Sequence, residues 1–319
     1  MLYKLLFFPA RIAIRFYCRK IRINNKELLS QPGPLLIAAN HPNSFLDAII
    51  LSSLFKLPVY SLARGDAFTN NLVTKILTSL NMLPVYRVSE GVENLEHNYT
   101  TFDSCQKLFS YNKIVLIFSE GRCINEWRLR PLKKGTARLA LTAWMHNVPL
   151  KVLPLGINYS SFRKFGKMMI LNFGSFITEA DVCEDFTTGG KAINEFNNQL
   201  HKQLKGLVYE IAPGDTKKLK RIFYIRQSFV EKILFCIPAI IGFVLHAPLY
   251  YAIHFIIKNR AKDHYDSIMV GLLFIFYPVF VLLLTLVVFF LTGNLFSFLL
   301  LLGIPVTALC LLHFKGVAN

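Results

Sequence analysis

The 319-residue chain is 53% hydrophobic with a mean hydropathy of +0.41, high for a soluble protein, and carries a formal net charge of +17. The charge is unevenly placed: beyond position 233 only Lys258, Arg260, Lys262, Asp263, Asp266 and Lys315 are charged, so a basic front portion is joined to an apolar tail. That arrangement suits work at an anionic surface, with anionic lipid, phosphorylated substrates or nucleic acid as the candidate partners.

At the N-terminus the apolar run of residues 5–10 is short and is followed by Arg11, Arg15 and Arg19, which does not fit a secretory signal. The arginines recur every four residues, and Leu5, Phe8, Ile12 and Phe16 fall mainly on another face. Residues 2–20 are therefore expected to form an amphipathic helix lying on a membrane surface, within a segment 1–24. From 35 to 175, strand and helix signals alternate. Leu35–Ala39, 59–62, Ile114–Phe118, 151–155 and 168–173 read as strands, and 45–55, 72–80, 99–111 and 135–146 read as helices. The pattern predicts an α/β domain over 25–215, a mostly parallel sheet flanked by helices. Residues 178–190 read as a loop, and Ile193, Phe196, Leu200, Leu204 and Leu207 mark an amphipathic helix after it.

The tail, 216–319, reads as a membrane anchor. Stretches 268–291 and 295–314 are long enough to span a bilayer, and Thr292-Gly293-Asn294 makes them a helical hairpin. Stretch 233–257 contains Pro238, Gly242 and Pro248, and both of its flanks are basic, so a broken, re-entrant helix is expected there. His246, His254 and His313 read as structural. The six cysteines, at 18, 105, 123, 183, 236 and 310, form no C-x-x-C pair and no histidines stand at zinc-ligand spacing, so reduced thiols and no metal are expected.

Two segments carry the chemistry. Asn40-His41-Pro42-Asn43-Ser44-Phe45-Leu46-Asp47 follows the first strand and opens a helix that Asn43 or Ser44 can cap. His41 and Asp47 are six positions apart, about 240° around an ideal helix, so they meet only if His41 lies in the loop and Asp47 in the first turn. Asp47 then sets the imidazole tautomer and the other ring nitrogen is left to act as a general base. The residue types alone leave a structural loop histidine open. Phe118-Ser119-Glu120-Gly121-Arg122 follows another strand. Gly121 permits a tight turn, Arg122 and nearby backbone N–H groups suit a phosphate, and Glu120 can orient the arginine or a substrate hydroxyl. A solvated polar turn is the alternative. Trp127, Arg128, Arg130, Lys133 and Lys134 form an aromatic-basic cluster, and Arg64 is a further candidate lining residue.

Four blocks in order make the chain resemble the glycerolipid acyltransferase family, which includes glycerol-3-phosphate and 1-acylglycerol-3-phosphate (lysophosphatidate) acyltransferases. They are His41 to Asp47; Leu83-Pro84-Val85-Tyr86-Arg87; Phe118 to Arg122, similar to the family's Phe-Pro-Glu-Gly-Thr-Arg; and Val148-Pro149-Leu150-Lys151-Val152-Leu153-Pro154. The resemblance covers about residues 30–210. It implies His41 as general base with Asp47 as partner, and Arg87, Glu120 and Gly121 as contacts to the acceptor and its phosphate; Arg122, Asn43, Ser44 and Arg64 are further candidate contacts read from the residues themselves. It implies a donor, acyl-CoA or acyl-carrier protein, whose site the 149–154 strand shapes, and no cofactor. Five residues separate His41 from Asp47 where most members have four, a spacing similar to a branch acting on glycerol 3-phosphate and dihydroxyacetone phosphate. Ser119, Arg122 and Cys123 stand where the family has Pro, Thr and Arg. The expected setting is the cytosolic face of an inner or endomembrane, among membrane lipids, with an acidic acyl-carrier protein as a possible partner. A non-catalytic transporter is the rival of another class, disfavoured because the tail helices carry few ionisable groups. A nucleic-acid binder is disfavoured because no strand interleaves aromatics with lysine.

Overall fold

A computed structural model describes residues 2–86, 97–182, 189–259 and 264–314. In chain order the elements are α1 (Leu2–Tyr17), β1 (Cys18–Ile23), β2 (Leu35–Ala39), α2 (Phe45–Leu54), β3 (Val59–Arg64), α3 (Asn71–Ser79), β4 (Met82–Val85), α4 (His97–Ser110) and β5 (Ile114–Phe118). Then follow α5 (Gly135–Met145), β6 (Lys151–Tyr159), β7 (Lys167–Phe173), α6 (Gly189–Leu207), α7 (Thr216–Ile222), α8 (Phe229–Ile257), α9 (Tyr265–Thr292) and α10 (Leu300–Phe314). The seven strands form one mixed sheet in the order β1-β7-β6-β2-β5-β3-β4. Its centre is parallel: β2 pairs with β5 and β6, and β3 with β5 and β4. Every residue of β2 is buried, which explains why the run Leu-Leu-Ile-Ala-Ala is apolar throughout instead of alternating.

The chain divides into two compact units. The first comprises Met1–Arg11, Arg22–Asn158 and Ile170–Ala212. One face of its sheet, through Leu36, Ala38, Val115, Ile117 and Val152, is covered by Cys105 and Phe109 of α4, Leu139 and Trp144 of α5, and Phe196, Leu200 and Leu204 of α6. The α6 residues recur at helical spacing and are all fully buried.

Two strands depart from the sequence reading. The first helix, expected over residues 2–20 within a segment 1–24, stops at Tyr17, and Arg19 lies on β1. The Cys-Arg-Lys-Ile-Arg-Ile pattern alternates as an edge strand does, and edge position removes the need for a continuous apolar run. β4 contains Pro84 and forms the other edge, where a proline is most readily placed. Gly189 and Gly190, read as the end of a loop, open α6 instead, and positions 183–188 lie outside the described residues.

The second unit comprises Ile12–Ile21, Tyr159–Met169 and Pro213–Asn319. Three of its helical stretches, Phe229–Ile257, Tyr265–Thr292 and Leu295–Phe314, are long and apolar enough to cross a membrane. The first is not broken. Pro238, Gly242 and Pro248 all lie inside one helix of 29 residues, begun by a capping box between Ser228 and Glu231. Its length, about 43 Å at 1.5 Å per residue, exceeds a hydrocarbon core of about 30 Å. Proline inside such a helix removes one backbone bond without ending it, because neighbouring groups re-satisfy what is freed. Gly242 is there for packing: a Cβ on it would stand 2.4 Å from the carbonyl oxygen of Thr307 in α10. The hairpin turn is made by Gly293, at φ 64°, and by Asn294, whose side chain accepts from Phe296 N–H. His246 bridges the Gly242 carbonyl at 2.6 Å and the Tyr277 hydroxyl at 2.9 Å, and His254 meets the Tyr265 hydroxyl at 2.7 Å. Tyr17, Lys167 and Asp266 form a fully packed polar cluster, with Tyr17 donating to Asp266 Oδ2 at 2.6 Å and Lys167 Nζ donating to both.

Candidate functional site

The parallel centre of the sheet decides where the chemistry collects. Ala39 of β2 lies opposite both Phe118 of β5 and Leu155 of β6, so the segments after these strands leave the sheet at one edge. Ligands in open α/β sheets bind at that carboxyl edge. His41 emerges from β2 and Glu120 from β5, side by side. Asn40 pins the exit of β2, since its side chain both donates to and accepts from the backbone of Ile157, at 3.0 and 2.7 Å.

His41 Nδ1 lies 2.9 Å from Asp47 Oδ2. The same oxygen accepts the main-chain N–H of Asn43 at 2.8 Å. An ionised carboxylate only accepts, so Nδ1 carries the proton and Nε2 is left with a lone pair. Asp47 is fully buried while the His41 side chain remains 16% exposed, so the imidazole alone is reachable. The ring stacks on Phe118, centroids 3.8 Å apart and 7° from parallel. Asp47 sits in the first turn of α2, where the helix dipole favours its charge. The cap differs from the sequence expectation. Ser44 occupies the N-cap position with φ 52° and makes no side-chain cap bond. The carboxylate of Asp47, reaching back to Asn43, takes over that function. Asn43 is itself buried.

Glu120 is buried and both its oxygens receive backbone donors: His41 N–H on Oε2 at 2.9 Å and Arg130 N–H on Oε1 at 2.9 Å. Burial pushes its carboxyl above the ordinary range, opposed by those two hydrogen bonds and by the charges of His41 and Arg130. The group read as a contact to substrate is therefore engaged with the protein's own loops. Gly121 takes φ 64°, and a Cβ there would come within 3.0 Å of Lys133 Cγ, so the stem of Lys133 overlies the turn. Ser119, which replaces the expected proline, accepts from Thr136 Oγ1 at 2.9 Å and through its carbonyl from Lys133 N–H at 2.7 Å. Arg122 is exposed beside these groups.

Sequence reasoning gave neither Cys123 nor Asn125 a part in holding the histidine loop. Ser44 N–H points at Cys123 Sγ at 2.8 Å, and Asn125 Nδ2 donates to the Pro42 carbonyl at 2.8 Å, so the segment after β5 laces the histidine loop in place. No local pattern announces such contacts between residues some eighty positions apart. Arg64, at the end of β3, forks onto Asp66, with Nε to Oδ1 at 2.9 Å. Its neighbour Gly65 lies against the ring of Tyr86, where a Cβ would fall 2.3 Å from the ring atoms. Tyr86 is held on both backbone groups by Asn98, at 2.8 Å each. Arg87 lies outside the described residues. The 149–154 block places Lys151 to Pro154 on β6, next to β2. Within the aromatic-basic cluster the Trp127 carbonyl accepts from Ile211 N–H at 3.0 Å and Arg130 lies 3.7 Å from Glu126.

Residues 20–158 match the protein-family model described as Acyltransferase. The match takes in β1 to β6 and with them His41, Asp47, Glu120 and Gly121, so the matched segment contains the whole strand-edge arrangement described above. Among solved structures, the chain is similar to the crystal structure of the 1-acyl-sn-glycerophosphate (LPA) acyltransferase PlsC from Thermotoga maritima. The two share 11% identity with a TM-score of 0.45, over 71% of this chain and 81% of that one. No curated protein matches it by sequence.

Proposed function

We propose that the protein is a membrane-bound glycerolipid O-acyltransferase that moves a fatty acyl group from a thioester donor to a hydroxyl of glycerol 3-phosphate or dihydroxyacetone phosphate. The observation that carries this reading is the His41–Asp47 pair, with Nδ1 engaged by a buried carboxylate and the ring partly exposed at the carboxyl edge of the sheet. In this reading Nε2 removes the proton as the acceptor oxygen attacks the thioester carbonyl. The tetrahedral adduct collapses, the C–S bond breaks, and the thiolate leaves with a proton returned from the imidazolium. The donor is already activated, so positioning and proton removal supply the catalysis and no covalent enzyme intermediate is required. Arg122 and Lys133, beside Gly121, and Arg87 are the cations available for the acceptor phosphate. Glu120 and Asn43 act by holding the loops, and Asp47 by holding the ring. The donor is acyl-CoA or an acyl-carrier protein, and the three apolar helices hold the enzyme in a membrane with the catalytic unit on the cytosolic side.

The longer His41-to-Asp47 spacing favours glycerol 3-phosphate or dihydroxyacetone phosphate over lysophosphatidate, which stands as the second reading. Purified protein given a labelled acyl thioester and each acceptor in turn tests both. Acylation of amines or sterols in place of phosphorylated glycerols would overturn the substrate class, and full activity of His41→Ala would overturn the base.

A further inference from the structure

The edge of the sheet that carries His41 also carries apolar side chains that the fold does not cover. Phe45 opens α2 directly after the histidine loop and is 39% exposed; Leu72, in the first turn of α3, is 68% exposed and Ile76, one turn on, 42%. The strands β2, β3 and β5 that precede these segments and the Arg122 segment are mutually parallel, so all of them leave the sheet at the same edge. Leu72 and Ile76 stand at i and i+4 and form one face of α3. No residue of α3 is buried, so packing does not account for the apolar choice at either position.

Among the described residues, the uncompensated charge at this edge has one sign. From 67 to 86 the chain has no acidic residue and carries Lys75. Arg122 and Arg128, from the segment after β5, are exposed. Among the described residues the acidic groups nearby are engaged or buried: Asp66 holds Arg64, Glu126 faces Arg130, and Asp47 and Glu120 are buried. Apolar side chains interleaved with uncompensated cations match an anionic bilayer surface, where apolar groups enter the headgroup–acyl boundary and each nearby cation adds attraction. The same chain supplies three helices long enough to cross a bilayer, so that surface is always at hand.

We propose that α3 is a second membrane-contact element: Leu72 and Ile76 enter an anionic lipid interface and Phe45, Lys75, Arg122 and Arg128 border the contact. The lipid boundary then lies at the mouth of the histidine site. The proposal rests on the glycerolipid reading for its purpose, delivery of lipid to that mouth, and stands on exposure and charge for its geometry.

The test uses the full chain in nanodiscs whose lipids have brominated acyl chains, with and without phosphatidylglycerol. Leu72→Trp and Ile76→Trp are compared with Leu57→Trp. Leu57 is also exposed, at 42%, but precedes β3 at the opposite edge. The expected result is a blue shift and loss of emission for the two α3 variants, larger with phosphatidylglycerol and smaller at high salt, and neither change for Leu57→Trp. Equal behaviour of all three variants would overturn the docking. Acyl transfer is measured on the same preparations. Quenching confined to α3 with no transfer to any acceptor would remove the functional reading and leave the docking in place; transfer without quenching would do the reverse.

Discussion

The main-chain N–H of His41 donates to Glu120 Oε2 at 2.9 Å, so the histidine loop after β2 is held from the loop after β5 by a carboxylate and not by the sheet itself. The second oxygen holds Arg130 in the same way, and Glu120 therefore sets two loops against each other. In Glu120→Gln one oxygen becomes an amide nitrogen that faces an N–H donor. The expected outcome is a fall in kcat/KM of about 10²-fold, the usual scale for displacing a reacting group by an ångström. The KM for acceptor should move less than kcat; a change confined to KM would mean that Glu120 touches the acceptor.

The same residue predicts a pH dependence of stability. Burial raises the folded-state value above the ordinary one near 4.5. The folded protein then holds the proton more tightly than the unfolded chain. The associated stability is fully present below the ordinary value and is lost as pH rises through the higher folded value. Glutamine does not titrate. The Tm of the wild-type protein minus that of Glu120→Gln should therefore be most favourable to the wild type in acid and decline toward neutral pH. A difference that grows as pH rises would contradict the assigned direction.

Asp47 separates orientation from charge. One oxygen, Oδ2, accepts both His41 Nδ1–H and Asn43 N–H. Asparagine can present one oxygen to the same two donors, so Asp47→Asn should fold with a Tm close to the wild type. It loses the charge that stabilises the imidazolium, and transfer should fall by about 10²–10⁴-fold, the range of general-base catalysis. Asp47→Ala should lose both activity and stability, by about 1–3 kcal/mol for the donors left unpaired. Circular dichroism melts alongside acyl-transfer assays distinguish the two.

Much of this was legible beforehand for a physical reason. The strands Leu35–Ala39 and Ile114–Phe118 are buried on both faces, so each appears as an uninterrupted apolar run, and the chemistry follows each run directly. β1 and β4 were missed because edge strands relax the apolar requirement: one carries Arg19, Lys20 and Arg22, the other Pro84. The proximity of His41 to Asp47 followed from a loop entering a helix. The engagement of Glu120 did not, because its partners are backbone N–H groups at positions 41 and 130, which no residue type encodes. The interruption anticipated in α8 failed because proline and glycine mark a break in water but a packing seam in a helix of bilayer length.

Lys167 and Asp266 form an ion pair with neither side chain exposed, joined by the hydroxyl of Tyr17. Removing one charge from such a pair strands the other, at a cost of about 3–5 kcal/mol, whereas replacing both by apolar groups of similar volume is often near neutral. Asp266→Ala should therefore lower the melting temperature in detergent more than the double variant Lys167→Met with Asp266→Leu. A double variant as unstable as the single would show that the hydrogen bonds, and not the charges, hold the cluster.

Gly242 and Gly271 make a matched pair for the membrane helices. A Cβ at Gly242 would stand 2.4 Å from the Thr307 carbonyl oxygen, a backbone atom that cannot rotate away, while a Cβ at Gly271 meets nothing within 4 Å. Gly242→Ala should push α8 and α10 apart and destabilise by about 1–3 kcal/mol, the usual cost of overpacking. Gly271→Ala should be neutral or stabilise by up to about 1 kcal/mol, since alanine is the better helix former. Thermal unfolding of both variants in the same detergent checks the contrast. If Gly242→Ala melted with the wild type, the close crossing at Thr307 would not be part of the folded protein.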